Sequence, residues 1–178
     1  ANVVDPKVKR LAISRVNLHE VPGGHSLEQL HKALAVTMRP SRDGNDLVVE
    51  VRIVNKGAGH AVPTGMPGRR VILAVDVRTS DGKTASEKRT YARALRDAAG
   101  KPIERDGQCF APGVGLASDT RIGPDEQRVE ILRFPVSPDA TAQVNLRLNY
   151  EHAPTGGAED RTWITIYSEE RTLLPAVP

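Results

Sequence analysis

Leu47-Val48-Val49-Glu50-Val51-Arg52-Ile53-Val54 is the stretch that decides the fold class. Leu47, Val49, Val51 and Ile53 fall on one side of an extended chain, and Val48, Glu50, Arg52 and Val54 fall on the other. That is the period of two that a β-strand imposes on its side chains. The same period recurs in Val71, Leu73, Val75 and Val77 against Ile72, Ala74, Asp76 and Arg78. It is cleanest where Val144, Leu146, Leu148 and Tyr150 alternate with Gln143, Asn145, Arg147 and Asn149. Residues 87–96, 128–134 and 162–168 read as further strands.

Turn-forming strings separate these runs: Asp43-Gly44-Asn45, Ser80-Asp81-Gly82, Ala99-Gly100-Lys101-Pro102, Pro124-Asp125 and Gly156-Gly157. No long helical pattern lies between them, which argues against parallel crossover units. The fold expected is mainly β, an immunoglobulin-like antiparallel β-sandwich of about six or seven strands.

Upstream of the strands the pattern changes. Residues 1–25 lack periodicity and contain the turn-prone Pro22-Gly23-Gly24. Ser26 reads as a helix N-cap with Gln29 completing a capping box, and Leu27, Leu30 and Leu34 follow at helical spacing, predicting a short helix over 27–35. The chain therefore divides into an N-terminal extension with a short helix, 1–36, and a sandwich domain, 37–178.

The 178 residues are 39% hydrophobic, enough for one globular core. The longest purely apolar run, Val71 to Val75, falls far short of the ~20 residues of a membrane-spanning helix. A net charge of +3 is spread along the chain, and only 3% of residues are aromatic. Nucleic-acid binders cluster their cations and stack bases on rings, so that class is set aside. A weakly basic face suits an acidic protein partner instead.

Chemistry-bearing residues are few. Cys109 is the only cysteine, so the chain can form no internal disulfide and contains no Cys-x-x-Cys-His site for covalent c-type haem. It reads as a small, inert, buried residue. No Gly-x-Ser-x-Gly elbow is present, and Cys109 has no histidine near it in sequence, so the chain does not read as a self-contained enzyme.

Four of the five histidines, His19, His25, His31 and His60, fall in the first sixty residues. His31 lies on the helix face away from Leu27 and Leu30 and reads as a surface residue. His152 borders the polar loop Pro154–Asp160 and reads likewise. His19 and His25 flank the Pro-Gly-Gly turn, which can bring their imidazoles together, although six positions is no zinc spacing.

The string Asn55-Lys56-Gly57-Ala58-Gly59-His60-Ala61-Val62-Pro63-Thr64-Gly65 sits between two clean strands and is rich in glycine. Glycine there signals positive φ or a close backbone approach. Two readings stand open. The loop projects His60 toward a ligand or partner, or it is a crossover between sheets whose His60 is satisfied by a backbone carbonyl.

Gly57–Gly65, with Arg69-Arg70 and a strand after it, resembles the Gly-His-x-x-Pro-Thr-Gly segment of multihaem c-type cytochromes, which lies in a β-sandwich domain following the haem-bearing region. Two more segments fit in the same order. His19-Glu20-Val21-Pro22-Gly23-Gly24-His25 is similar to the segment after the last haem-attachment motifs. Ser118-Asp119-Thr120-Arg121-Ile122-Gly123-Pro124 is similar to a late Asp-Thr-Arg-Ile-x-Pro stretch. The resemblance covers roughly residues 17 to 135.

It implies a periplasmic or extracellular electron-transfer setting with a c-type cytochrome or other redox protein as partner. Haem c would be held by that partner chain or by an upstream region, none of it covalently attached to this chain. His19, His25 and His60 are the candidate axial ligands that the resemblance implies. Thr64, Arg69, Arg70, Asp119 and Arg121 are the candidate partner contacts. Two other readings come from the residues alone: a periplasmic copper site from His19, His25 and His60 with Met66 or Cys109, and a metal-free binding or adhesion module.

Overall fold

The computed structural model describes Gly24, residues 26–66, 68–103, Cys109, Gly113, residues 115–152 and 162–175. Helix α1 (Leu27–Ala33) leads into nine strands: β1 (Leu34–Asp43), β2 (Asp46–Asn55), β3 (Arg70–Thr79), β4 (Thr84–Arg96), β5 (Pro102–Ile103), β6 (Gly115–Asp119), β7 (Gln127–Pro135), β8 (Ala142–His152) and β9 (Thr162–Leu173). One sheet has the order β1-β2-β7. The other runs β5-β4-β3-β8-β9, with β6 also pairing with β4, and every pairing is antiparallel. The chain crosses between sheets after β2 and returns for β7, the immunoglobulin-like plan.

The alternating residues form the core as expected. Leu47, Val49, Val51 and Ile53 of β2 are fully buried, as are Val71, Leu73 and Val75 of β3 and Val144, Leu146 and Leu148 of β8. Leu34 and Met38 of β1, Leu132 and Phe134 of β7 and Ile166 of β9 complete one continuous cluster.

Three local features depart from the sequence-based expectation. The helix ends at Ala33, and Leu34 and Ala35 already belong to β1, where Leu34 lies opposite Asn55. Ser26 makes no side-chain cap bond, so no capping box forms. Strand β1 itself escaped the pattern because its inward positions include Pro40 and Arg42. Arg42 turns its guanidinium to the Ser137 carbonyl (3.0 Å) and the Ala140 carbonyl. Proline is tolerated because β1 is an edge strand, with one side free of ladder bonds.

At the end of the sandwich where β2 finishes and β3 starts, a polar clasp joins the sheets. Tyr91 of β4 is buried and donates its hydroxyl to Glu130 Oε1 of β7 at 3.0 Å, under the Arg128 guanidinium, which lies 5.7 Å from the ring centroid. Burial, followed by the Glu130 charge, pushes the Tyr91 phenol well above its ordinary pKa, so it remains a donor.

Leu148 lies at the centre of β8 with no exposed surface. Leu148→Ala is expected to lower stability by about 2–5 kcal/mol. A fall in the guanidinium midpoint at unchanged m-value checks it.

Candidate functional site

The strand registers place Asn55–Gly65 and Ser118–Pro124 at this same end. Leu34 is opposite Asn55, Val54 opposite Gln127, and Arg70 opposite Glu151. The β2–β3 connection, the β6–β7 connection and α1 therefore meet there.

Asn55 organises the meeting. It is the fifth inward position of β2, where Leu47, Val49, Val51 and Ile53 would lead one to expect another aliphatic residue, and it is completely buried. Its Nδ2 donates to the His60 carbonyl (2.9 Å) and to the Ile122 carbonyl (3.2 Å), and its Oδ1 accepts the Ala58 N–H (3.1 Å). One amide thus fixes both the His60 loop and the Asp119–Pro124 segment. Val62 and Ile122 add a two-way bridge, with N–H to carbonyl distances of 2.8 and 2.9 Å. Thr120 ties the second segment to β4, accepting the Ala92 N–H at 3.0 Å.

Two glycines show why this loop needs them. A Cβ on Gly57 would stand 2.2 Å from the Lys32 carbonyl oxygen, because the loop seats directly on the end of α1. There the Ala33 carbonyl accepts N–H groups from Lys56 (2.9 Å) and Gly57 (3.3 Å). Gly65 has φ +84°, and a Cβ there would stand 2.6 Å from Arg69 Nη1. The peptide before Pro63 is cis.

The crossover reading of this loop holds. The loop is a crossover between sheets, and His60 is exposed at its rim. Its Nδ1 lies 3.2 Å from the Ala61 carbonyl. A carbonyl only accepts, so Nδ1 is the donor in this contact.

Beside His60 opens a cleft of about 300 Å³, lined among others by Gly24, Gln29, Lys32, Thr64 and Tyr150. Gly24 belongs to the His19–His25 motif, and a Cβ on it would lie 3.5 Å from Arg69 Nη1 and 3.7 Å from the Tyr150 hydroxyl. Gly24 therefore lies at the same end of the fold as the other two motifs. His19 and His25 themselves lie outside the described residues.

The other candidates are placed as follows. Arg69 folds back and donates to the Thr64 carbonyl at 3.2 Å, clamping the loop. Arg70 is half-buried at the start of β3. Asp119 and Arg121 satisfy each other through two bonds, Nε to Oδ1 at 2.8 Å and Nη2 to Oδ2 at 2.6 Å, and this bonding holds the Asp119 carboxyl below its ordinary pKa. His31 is exposed as expected, yet its Nε2 lies 2.8 Å from the Ile166 carbonyl and pins α1 to β9. Cys109 is only half-buried. Among the described residues no group of three or more His, Cys, Asp or Glu is placed to hold a metal ion, so the copper reading gains no cluster from His60, Met66 or Cys109.

No protein-family model and no curated protein matches the sequence. Among solved structures, the crystal structure of a penta-heme cytochrome c552 from Thermochromatium tepidum superposes at TM-score 0.65 over 85% of this chain, with 21% identity. The fold is shared with a multihaem cytochrome. This chain spans 42% of the length of that cytochrome. A structural-genomics target, SoR45, aligns over 80% of this chain and 84% of its own at TM-score 0.33 and 9% identity.

Asn55→Ala takes the Asn55 bond from the His60 carbonyl and the Ala58 N–H, strips one of two bonds from the Ile122 carbonyl, and is expected to cost about 3 kcal/mol. Amide exchange at Ala58 and Val62 should accelerate more than in the β8 core, which hydrogen-exchange mass spectrometry reads directly. Glu126 sets a pH dependence. The Gly123 N–H (2.6 Å) and then Arg128 hold its carboxyl below the ordinary glutamate value. A depressed carboxylate adds stability above its unfolded pKa and loses it as pH falls through the folded one. Protection of the Gly123 amide should therefore collapse only below the ordinary glutamate range, and Glu126→Gln should flatten that dependence.

Proposed function

We propose that this chain is the haem-free sandwich domain or an accessory subunit of a multihaem cytochrome electron-transfer system, acting in the periplasm or outside the cell. The observation that carries the reading is the meeting of two cytochrome-like motifs, Gly57–Gly65 and Ser118–Pro124, beside Gly24 at one end of a fold shared with a penta-heme cytochrome. The chain performs no catalysis of its own in this reading. It docks on a c-type cytochrome, or on an upstream haem-bearing region, and shields or ligates haem held there.

His60 suits that role. Its Nδ1–H is oriented by the Ala61 carbonyl, the arrangement that sets a ligating imidazole, and Nε2 is left for iron. His25, next in sequence to Gly24, is the second candidate ligand. His19 is the third candidate ligand. Thr64, Arg69, Arg70, Asp119 and Arg121 border the docking face, where Arg69 supports the loop and Arg70 meets the partner.

The test is expression of the native gene in a host competent for c-type haem maturation. The chain should purify with haem on the same or an associated polypeptide, and His25→Ala or His60→Ala should shift the Soret band or reduction potential of that complex. Purification without haem would overturn the association, and an unaltered spectrum and potential in both variants would overturn the ligand assignment.

A further inference from the structure

Far from the candidate site, the outer face of the larger sheet holds a groove of about 680 Å³. Its floor is a row across four strands, in which Ser86 lies opposite Asp76, Asp76 opposite Asn145, and Asn145 opposite Glu170. Arg147 and Ser168 form the adjoining pair on one side, with Arg78 and Gln143 on the other. These are the outward positions of strands whose inward positions fill the core, so the sheet itself fixes the spacing of the polar groups.

The lining contains no aromatic ring, and its carboxylates, Asp76 and Glu170, are matched by the guanidiniums Arg78 and Arg147. Phosphate and nucleic acid need an excess of positive charge, and an added peptide strand needs a free sheet edge, whereas this is a sheet face. What remains is a field of planar amide, carboxylate and guanidinium groups with hydroxyls between them. Such groups hold hydrogen-bond donors and acceptors in pairs, which match the paired hydroxyls of a pyranose.

The network is also incomplete at its centre. Ser86 (2.7 Å) and Arg147 (2.5 Å) donate to Asp76, and Gln143 donates to Glu170 at 2.5 Å. Between these pairs Asn145 Oδ1 is shut off from solvent and accepts no hydrogen bond. An unmet acceptor of this kind carries an uncompensated desolvation penalty, which a ligand hydroxyl recovers once the amide turns toward the groove.

We propose that this groove is a binding site for a neutral, hydroxyl-rich saccharide, recognised through Asp76, Gln143, Asn145, Arg147 and Glu170. The probes are maltose and N,N′-diacetylchitobiose, titrated at millimolar concentration into ¹⁵N-labelled protein. The side-chain amides of Asn145 and Gln143 should shift with saturation. A response to maltose assigns plain hexose polymers as the source, and a response to chitobiose assigns N-acetylated glycan such as cell wall. Asn145→Ala and Gln143→Ala should each weaken binding by about tenfold or more. Gln143 lies at the groove margin, so its variant preserves the test if Asn145→Ala fails to fold. Absence of shifts at these amides with both sugars, or equal binding by both variants, overturns the proposal.

Discussion

A buried amide at the end of an otherwise aliphatic strand holds the functional end of this protein together. Asn55 occupies a place where the hydrophobic effect favours valine or isoleucine, and the loss of apolar contact is offset by three hydrogen bonds to three different backbone groups. A buried polar side chain is tolerable only when its hydrogen-bonding groups are satisfied. Here that requirement works in the other direction: the loop and the segment after β6 adopt the positions that satisfy Asn55. The Val62–Ile122 bridge and the seating of Gly57 on α1 reinforce that arrangement.

Around this joint the charges are arranged locally. Arg121 pairs with Asp119 two residues away, and Arg128 with Glu126 likewise. Such short-range pairs contribute little to stability when exposed, but they neutralise the rim of the site, and His60 lies exposed beside the cleft. The haem-ligand reading draws on that exposed and oriented imidazole. The groove on the opposite sheet face draws on a cross-strand polar lattice instead. The two surfaces share only the sandwich between them.

Much of the architecture was legible in the residues. The strands whose inward positions are mostly aliphatic, β2, β3 and β8, stood out at once because they are central and face a dry core. Strand β1 did not, since Pro40 and Arg42 sit at its inward positions and its edge location tolerates both. The short strands β5 and β6 are too brief for a period of two to register. At the site, glycine content pointed correctly to the loop, and Gly57 and Gly65 explain it by close approach and positive φ. Asn55 had a readable signal, a polar residue continuing an aliphatic alternation, but its partners are separated from it by up to 67 positions and only the folded chain brings them together. Pairing of distant motifs through backbone bonds leaves no trace in local periodicity.

Because β2 and β3 belong to opposite sheets, the segment bearing His60 spans the sandwich like a strut fixed at both ends. Its backbone is tied near His60 to Asn55 and Ile122, and dense packing makes the separation of the layers stiff. An imidazole carried on such a strut starts from a backbone with restricted freedom to shift. For any centre that exchanges electrons, a ligand or neighbour with so little freedom to rearrange lowers the structural adjustment each transfer demands.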